Sequence, residues 1–239
     1  TDIYTQTALQ QSESFEVNYL KSVVFINDGK ANFKAVPLPE LSQIAPGFGV
    51  IATEVNGDGK ADIYLAQNFY HPQRETGRMA GGMSVLLLGD GSGSFNEIWP
   101  NRSGLTVPED ARGLASCDLN DDGWVDFAIG VNDGKMKLFE NKMSSNSENK
   151  SFMIRLSDGP GNPTGVGARV RVELSDGSTQ TDEVRAGGGY LSQSSSGLFF
   201  GLSAGNKIKN IKVRWPDGEE TDHQYSSGNH KVIITRTAQ

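Results

Sequence analysis

The sequence lacks the features that mark several common classes of protein. Its single cysteine, Cys117, excludes an internal disulfide framework. No apolar run approaches the roughly 18 residues of a membrane-spanning helix, so direct membrane insertion is not expected. The net charge is −7 and no basic stripe is present, so the chain has no electrostatic footprint for nucleic acid. The three histidines do not have the pairwise spacing of a zinc motif.

Long segments with helical periodicity are also missing, and this decides the expected fold class. The 239 residues include 29 glycines, and short apolar runs alternate with clusters of Gly, Asn and Asp. Such a pattern is typical of many short strands joined by turns. We therefore predict an all-β protein with enough chain for one large or two medium domains.

One stretch of the chain carries a strong metal-binding pattern. Residues 118–126 place side-chain oxygens at positions 1, 3, 5 and 9 of a nine-residue loop, from Asp118, Asn120, Asp122 and Asp126. The glycine at position 6 permits a sharp turn. Because Ca²⁺ accepts about six to eight oxygen ligands in flexible geometry, a loop of this kind can wrap one ion.

A second loop, 64 residues upstream, repeats the pattern with Glu54, Asn56, Asp58 and Asp62, although its first carboxylate is longer. Neither loop is an EF-hand, which needs flanking helices and a Glu at position 12, where the later loop has Ile129. Each loop could instead be a simple Asx-rich turn between strands. A turn alone does not explain a carboxylate at both ends of a nine-residue window.

The loops belong to a longer repeat. Residues 2–4 recur as residues 62–64 (Asp-Ile-Tyr), and residues 22–33 match residues 84–95 at an offset of 62. A period of about 60 residues with four strand signals per unit is typical of β-propeller blades. We predict the end of one blade over 1–40, a whole blade over 47–100 and most of another over 110–142. Residues 1–142 are thus expected to be part of a propeller with a truncated first blade, and further blades are expected upstream.

The middle blade carries a polar insert at roughly 68–82, which holds Tyr70, His71, Arg74 and Arg78. Function concentrates on loops that rigid strands hold in place, so the insert is a possible binding loop. A plain solvated connection between strands is the other interpretation, and it is the favoured one.

A second domain is predicted after a polar linker. Residues 143–150 (MSSNSENK) form the linker, and apolar alternation resumes over 151–239. Phe152 and Ile154 fall on one face of the next strand and Met153 on the other, as in a strand buried on one side. Several further strands end at Gly-containing turns, so a small β-sandwich or barrel-like domain is expected.

One catalytic pattern is present but lacks its context. Residues 201–205 fit the G-x-S-x-G nucleophile elbow, which needs a helix after the serine. Residues 206–211 read instead as a turn into another strand. No catalytic residue is predicted, and the chain is not expected to be an enzyme.

Two family resemblances cover nearly the whole chain. The loops at 54–62 and 118–126, with GDGSGSF at 89–95, resemble FG-GAP/VCBS repeats, the blade unit of integrin alpha-chain-like propellers. Residues 152–218, with GVGARVRVEL, EVRAGGGYLSQSS, FFGL and VRWPDG, resemble the ASPIC/UnbV domain. The first resemblance implies that the carbonyls of Trp124 and Lys60 complete the two Ca²⁺ ligand sets. Neither family is defined by an enzymatic activity.

These observations predict a non-enzymatic calcium-binding module for adhesion or for protein or glycan interaction, in which calcium is structural. Calcium loops of moderate affinity suit compartments outside the cytoplasm, so a secreted or cell-surface location is expected. The expected partner is an extracellular protein or glycan ligand, and exposed propeller edges would allow two copies to dimerise edge to edge. An accessory binding module of a larger carbohydrate-active enzyme and a purely architectural spacer are the alternatives.

Overall fold

Strands form almost all of the regular structure. The computed structural model describes residues 3–143, 147–225 and 228–236. Its strands are β1 (Val23–Asn27), β2 (Phe33–Pro37), β3 (Gly47–Thr53), β4 (Asp62–Gln67), β5 (Val85–Gly89), β6 (Phe95–Ile98), β7 (Ala111–Cys117), β8 (Asp126–Val131), β9 (Lys137–Phe139), β10 (Lys150–Ser157), β11 (Arg169–Leu174), β12 (Thr179–Glu183), β13 (Leu198–Leu202), β14 (Ile208–Arg214), β15 (Glu220–His223) and β16 (Lys231–Thr235). The helices are α1 (Gln6–Gln11), α2 (Pro100–Ser103) and a 3-10 turn at Glu40–Ser42. The prediction of an all-β protein is confirmed.

Three separate sheets follow one another in the first part of the chain. The β1–β2 hairpin precedes a four-stranded sheet in the order β3-β4-β5-β6, and a three-stranded sheet, β7-β8-β9, comes next. Each strand pairs antiparallel with its neighbour in sequence. A chain that turns back on itself in this way buries one face of each sheet against the next sheet. The residues between the second and third sheets include the fully buried Leu114 and Ile129.

The repeat at an offset of 62 residues is visible in two hairpin turns. In the β1–β2 turn the Asp28 amide donates to the Asn32 carbonyl at 3.1 Å, and in the β5–β6 turn Asp90 donates to Ser94 at 3.1 Å. Each aspartate side chain also accepts a 2.7 Å bond from the amide two residues on. The matched sequence segments therefore fold into matched turns.

The remainder of the chain folds as two facing sheets, β13-β10-β16 and β12-β11-β14-β15. Apolar side chains from both sheets meet in one core, in which Ile154, Val170 and Ile211 have no exposed surface. The described residues form no closed barrel. Of the two arrangements predicted for this part, the structure is therefore a sandwich of two sheets.

The three-stranded sheet of this sandwich is buried on both faces. Phe152 and Ile154 of β10 face the sandwich core. Met153 of β10 and its partner Phe199 of β13 face the other way and join the apolar core of the first three sheets. The expectation of a strand buried on one side is wrong, because the two parts of the chain pack directly against each other.

A serine-rich segment of the second part lies along the free edge of β7. The Ser195 amide donates to the Ser116 carbonyl at 2.9 Å, and the Ser194 hydroxyl accepts from the Ser116 amide at 3.0 Å. The Ser192 hydroxyl donates to the Leu114 carbonyl at 2.9 Å. An unpaired strand edge is a template for association with other chains, and this segment covers it within the same molecule.

A few local expectations differ from the structure. Apolar alternation in the GVGARVRVEL segment starts at Val166 and predicts a strand there, but β11 begins only at Arg169, because Gly165 and Gly167 adopt left-handed φ angles of 67° and 88°. Helix α1 lies in a segment for which no helix is predicted. Asp2 and residues 144–146 of the predicted linker lie outside the described residues. Within the described ranges, no helix is long and apolar enough to cross a membrane.

Candidate metal-binding loops

Both predicted loops connect the first and second strands of a sheet. Residues 54–61 join β3 to β4, and residues 118–125 join β7 to β8. In each loop the fourth and sixth residues adopt a left-handed backbone. These residues are Gly57 (φ 78°) and Gly59 (φ 84°), and Asp121 (φ 62°) and Gly123 (φ 82°). The two loops therefore turn in the same way at the same positions.

The ninth residues of the two loops make the same pair of hydrogen bonds. Asp62 accepts from the Val55 amide and from the Gly89 amide, both at 2.9 Å. Asp126 accepts from the Leu119 amide and from the Asn141 amide, both at 2.7 Å. Val55 and Leu119 hold position 2 of their loops, so each final carboxylate closes its loop onto the second residue.

The first residues are also held by backbone amides. Glu54 accepts from the Gly57 amide at 2.7 Å and from the Gly59 amide at 2.8 Å. Asp118 accepts from the Gly123 amide at 3.1 Å. Gly59 and Gly123 both occupy position 6, so the bond from position 6 to the first carboxylate is common to the two loops.

The third and fifth residues complete the match. The Asn56 and Asn120 side-chain carbonyl oxygens accept from the amides of Asp58 and Asp122, at 2.9 and 3.1 Å. The same two aspartates accept a bond from the amide of position 7, at 2.9 Å in both loops. The position-7 residues are Lys60 and Trp124, whose carbonyls are the remaining predicted ligands.

Asn141 connects the two loops. Its amide donates to Asp126 of the second loop at 2.7 Å, and its side chain donates to the Val55 carbonyl of the first loop at 2.9 Å. Asn141 therefore contacts both loops at once. No pattern in the sequence points to Asn141.

Burial makes the carboxylates of the first loop hard to ionise. It raises the pKa of Glu54 to about 7, and the nearby charges of Asp62 and Asp58 add to the effect. Burial likewise raises the pKa of Asp62 to about 6 and raises the pKa of Asp126 in the second loop. Among the described residues no cationic side chain pairs with Glu54 or Asp62.

The donor chemistry of both loops suits a hard cation, since all the predicted ligand atoms are oxygen. Within the part of the chain that the structure describes, however, no group of three or more His, Cys, Asp and Glu side chains is gathered closely enough to hold a metal ion. The hydrogen bonds described above account for this, because they turn the carboxylates onto the backbone of the loop itself. To hold an ion, the loops must exchange some of these bonds for metal ligation.

The second part of the chain contacts both loops, which the sequence does not indicate. The Ser151 hydroxyl donates to the Gly123 carbonyl at 2.8 Å, and the Lys231 ammonium pairs with Asp121 at 2.7 Å. The Asn149 side chain donates to the Asn56 carbonyl at 3.2 Å. Most of these contacts involve backbone atoms of the loops, and such atoms give no signal in a sequence.

The polar insert at 68–82 is held at its base by hydrogen bonds to two backbone carbonyls. The side chain of Asn68, fully buried, donates to the Gly82 and Pro108 carbonyls, both at 2.8 Å. The Tyr70 hydroxyl donates to the Pro108 carbonyl at 2.5 Å, and the Arg78 guanidinium lies 3.6 Å from the centre of the Tyr70 ring. The insert therefore presents one stacked aromatic and cationic pair on a fixed loop.

The C-terminal part of the chain is similar to one known family. The sequence model of the family described as ASPIC and UnbV matches residues 159–239. These residues include the four-stranded sheet β12-β11-β14-β15 and part of the three-stranded sheet. Both candidate loops lie outside the matched residues.

A curated relative extends the similarity to the first part of the chain. Over 211 residues the chain is 21% identical to cartilage acidic protein 1 of Homo sapiens. The match covers 86% of this chain and 30% of the human protein. The chain therefore spans less than a third of the length of that relative.

Proposed function

We propose that this chain is a non-enzymatic, secreted or cell-surface calcium-binding module of the FG-GAP/VCBS type, which serves adhesion or the binding of a protein or glycan. The observation that carries the proposal is the equivalence of the two loops. They share a left-handed backbone at positions 4 and 6 and the same hydrogen bonds from position 6 to position 1, from position 5 to position 3 and from position 2 to position 9. Unrelated Asx turns have no physical reason to agree in all of these features.

Calcium has a structural role in this proposal. The ligands are the side chains of Glu54, Asn56, Asp58 and Asp62 with the Lys60 carbonyl, and those of Asp118, Asn120, Asp122 and Asp126 with the Trp124 carbonyl. A cation offsets the repulsion among buried carboxylates that have no other positive partner. Free calcium at ten times the dissociation constant would stabilise the fold by about 1.4 kcal/mol per site.

The first three sheets are proposed to be blades of a propeller. In the middle sheet Leu86 is 7% exposed, because the next sheet covers it. Leu138 lies at the corresponding position of β9, and it is 54% exposed. Phe25 and Phe33 of the β1–β2 hairpin are also exposed, at 63% and 60%. Further blades would cover these exposed faces. Where no further blade is present, the same apolar faces favour association of two copies of this chain.

A second function, an accessory module of a larger carbohydrate-active enzyme, draws on the insert at 68–82. The stacked Tyr70 and Arg78 and the exposed His71 are side chains that can stack on sugar rings and hydrogen-bond to them. Binding of a polysaccharide that Tyr70→Ala abolishes, with the two loops intact, would favour this function.

Calcium titration calorimetry with paired thermal melts tests the main proposal. We expect two calcium ions per chain and a melting temperature that falls on addition of a chelator. Asp122→Ala should remove one ion and part of the chelator response, whereas Glu75→Ala, at an exposed residue outside the loops, should leave both unchanged. Identical melting curves with calcium and with chelator would contradict the proposal.

A further inference from the structure

The glycine-rich turns of the two loops form the surface on which the second part of the chain docks. In the first loop Gly57 faces Asn149 and Gly59 faces Gln180, and a Cβ added to these glycines would come within 2.8 and 3.1 Å of those side chains. In the second loop a Cβ on Gly123 would overlap the His230 carbonyl. These glycines hold positions 4 and 6, which bend the chain around the proposed ion. The same few residues thus shape the loop and contact the neighbouring domain.

We propose that cation binding in the loops and docking of the C-terminal sandwich are one coupled equilibrium, in which Gly201 and Gln180 are positioning residues for the first loop. Ser151 and Lys231 have the same role at the second loop. The inference rests on the proposed function, because it assigns a consequence to calcium binding. Docking that stabilises the cation-binding conformation of a loop raises the affinity of that loop for the cation. By linkage, the bound cation then stabilises docking by the same free energy.

The contact at the first loop joins Glu54 to Gly201 of β13. A Cβ on Gly201 would overlap the Glu54 carboxylate, so only glycine leaves room for that side chain. The Gln180 side-chain nitrogen donates to the Gly201 carbonyl at 2.6 Å, and the Gln180 side-chain oxygen accepts from the Gly201 amide at 3.0 Å. The Glu54 carboxylate therefore lies between its own loop and β13, and Gln180 holds the backbone of β13 at this point by two hydrogen bonds.

This contact gives a reason for the longer carboxylate of the first loop. Position 1 is Asp118 in the second loop, and Asp118 makes its hydrogen bonds within that loop. Glu54 has one more methylene and lies against β13 as well as its own loop. The departure from Asp thus places a predicted ligand directly in the contact between the two parts of the chain.

The second loop is held by different groups. Ser151 donates to the Gly123 carbonyl at 2.8 Å, and the adjacent His230 carbonyl accepts from the Met153 amide at 2.8 Å. Lys231 pairs with Asp121, which is not a predicted ligand, at 2.7 Å. The two loops therefore have separate docking contacts, and each can be tested without changing the other.

Gly201→Ala in the full chain is the test, with Gly159→Ala as the matched control. Gly201 has an ordinary backbone conformation, so alanine meets only the Glu54 carboxylate and nearby loop atoms, whereas a Cβ on Gly159 meets nothing within 4 Å. We expect Gly201→Ala to weaken one of two calcium sites about ten-fold or more, the usual effect of disturbing a group behind a ligand. The affinity of the second site, resolved in the same calcium titration, should be unchanged. Gly159→Ala should match the wild type at both sites.

Two further variants keep the inference falsifiable if Gly201→Ala folds poorly. The double variant Glu54→Asp, Gly201→Ala has a shorter side chain at position 54, which leaves room for the alanine methyl group. It should therefore recover part of the calcium affinity that Gly201→Ala loses. Ser151→Ala should weaken calcium binding at the second loop and leave the affinity of the first loop unchanged. Hydrogen exchange of the β13 and β16 amides should slow when calcium is added to the wild type.

The outcomes separate this inference from the proposed function. Wild type that binds no calcium would overturn both. Wild type that binds two ions, with Gly201→Ala and Ser151→Ala binding them equally tightly and with β13 and β16 exchange unchanged by calcium, would leave the proposed function standing and overturn the coupling.

Discussion

The ring of Tyr64 stacks on the ring of Phe127, with centroids 5.0 Å apart and planes inclined by 22°. This pair joins the four-stranded sheet to the three-stranded sheet, and both side chains are buried. Removing the Phe127 ring would leave a cavity in the core that both sheets share with the C-terminal sandwich.

Phe127→Ala is expected to lower the free energy of unfolding by about 3–5 kcal/mol, the cost of emptying a buried aromatic site. Urea denaturation followed by tryptophan fluorescence measures the change. Phe33→Ala, at a ring that is 60% exposed, is the control and should alter stability by less than about 1 kcal/mol. Equal losses in the two variants would contradict the packing described for Phe127.

Stability without calcium is expected to fall as the pH rises from about 4.5 to about 7. Burial raises the pKa of Glu54 from 4.5 to about 7. Over this interval the unfolded chain releases the proton while the folded chain retains it, so the folded state becomes relatively less stable. The full effect of this one group is at most about 3 kcal/mol.

Thermal melts in chelator at a series of pH values test this expectation. Glu54→Gln cannot ionise and should show a shallower fall than the wild type between pH 4.5 and 7. Added calcium should reverse most of the fall at pH 7, because the ion favours the charged carboxylate. Parallel curves for wild type and Glu54→Gln would show that this carboxyl does not cause the dependence.

Asp110 and Arg112 form an ion pair at 2.9 Å, and the Asp110 side chain is almost completely buried. The guanidinium also lies 3.8 Å from the centre of the Phe48 ring. Asp110→Ala leaves a largely buried arginine without its partner and should cost about 3–5 kcal/mol. The double variant Asp110→Ala, Arg112→Met should recover a large part of that loss in chemical denaturation, and full additivity of the two changes would argue against the pairing.

Met153→Ala should destabilise both parts of the chain together. Met153 is fully buried in the core of the first three sheets, although it belongs to a strand of the sandwich. The expected loss is about 2–5 kcal/mol, in a single unfolding transition that shifts as a whole. Met136→Ala, at a side chain that is 65% exposed, is the control. Two transitions in calorimetry, with only one of them shifted, would mean that the parts unfold separately.

Much of the fold is accessible from local patterns. The alternation that starts at Phe152 and the Gly-containing turns that end several later strands predict elements that the structure contains. These elements depend on side-chain periodicity and turn chemistry, which are properties of neighbouring residues. The burial of Met153 is not accessible in this way because it depends on a second set of sheets, and one apolar residue on a polar face does not reveal such a partner.

The candidate loops illustrate the same limit. Their positions follow from the spacing of Asp, Asn and Gly. The structure places eight of the ten predicted residues in the two loops, and Asp62 and Asp126 are the first residues of β4 and β8. The contacts of Glu54 with Gly201 and of Gly123 with His230 could not be predicted. Each contact involves a glycine, which carries no side chain to indicate what lies beside it. The bridging role of Asn141 could not be predicted either, because it depends on the distance between two loops that are 64 residues apart in sequence.

The serine-rich segment along β7 has a consequence for synthesis of the protein. Its contacts join residues 78 positions apart. A ribosome therefore completes β7 long before it makes the segment that covers the strand's edge. Nascent or prematurely terminated chains that end before Ser192 would carry a bare strand edge available for aggregation, so the polypeptide acquires this protection only after the serine-rich segment has been made.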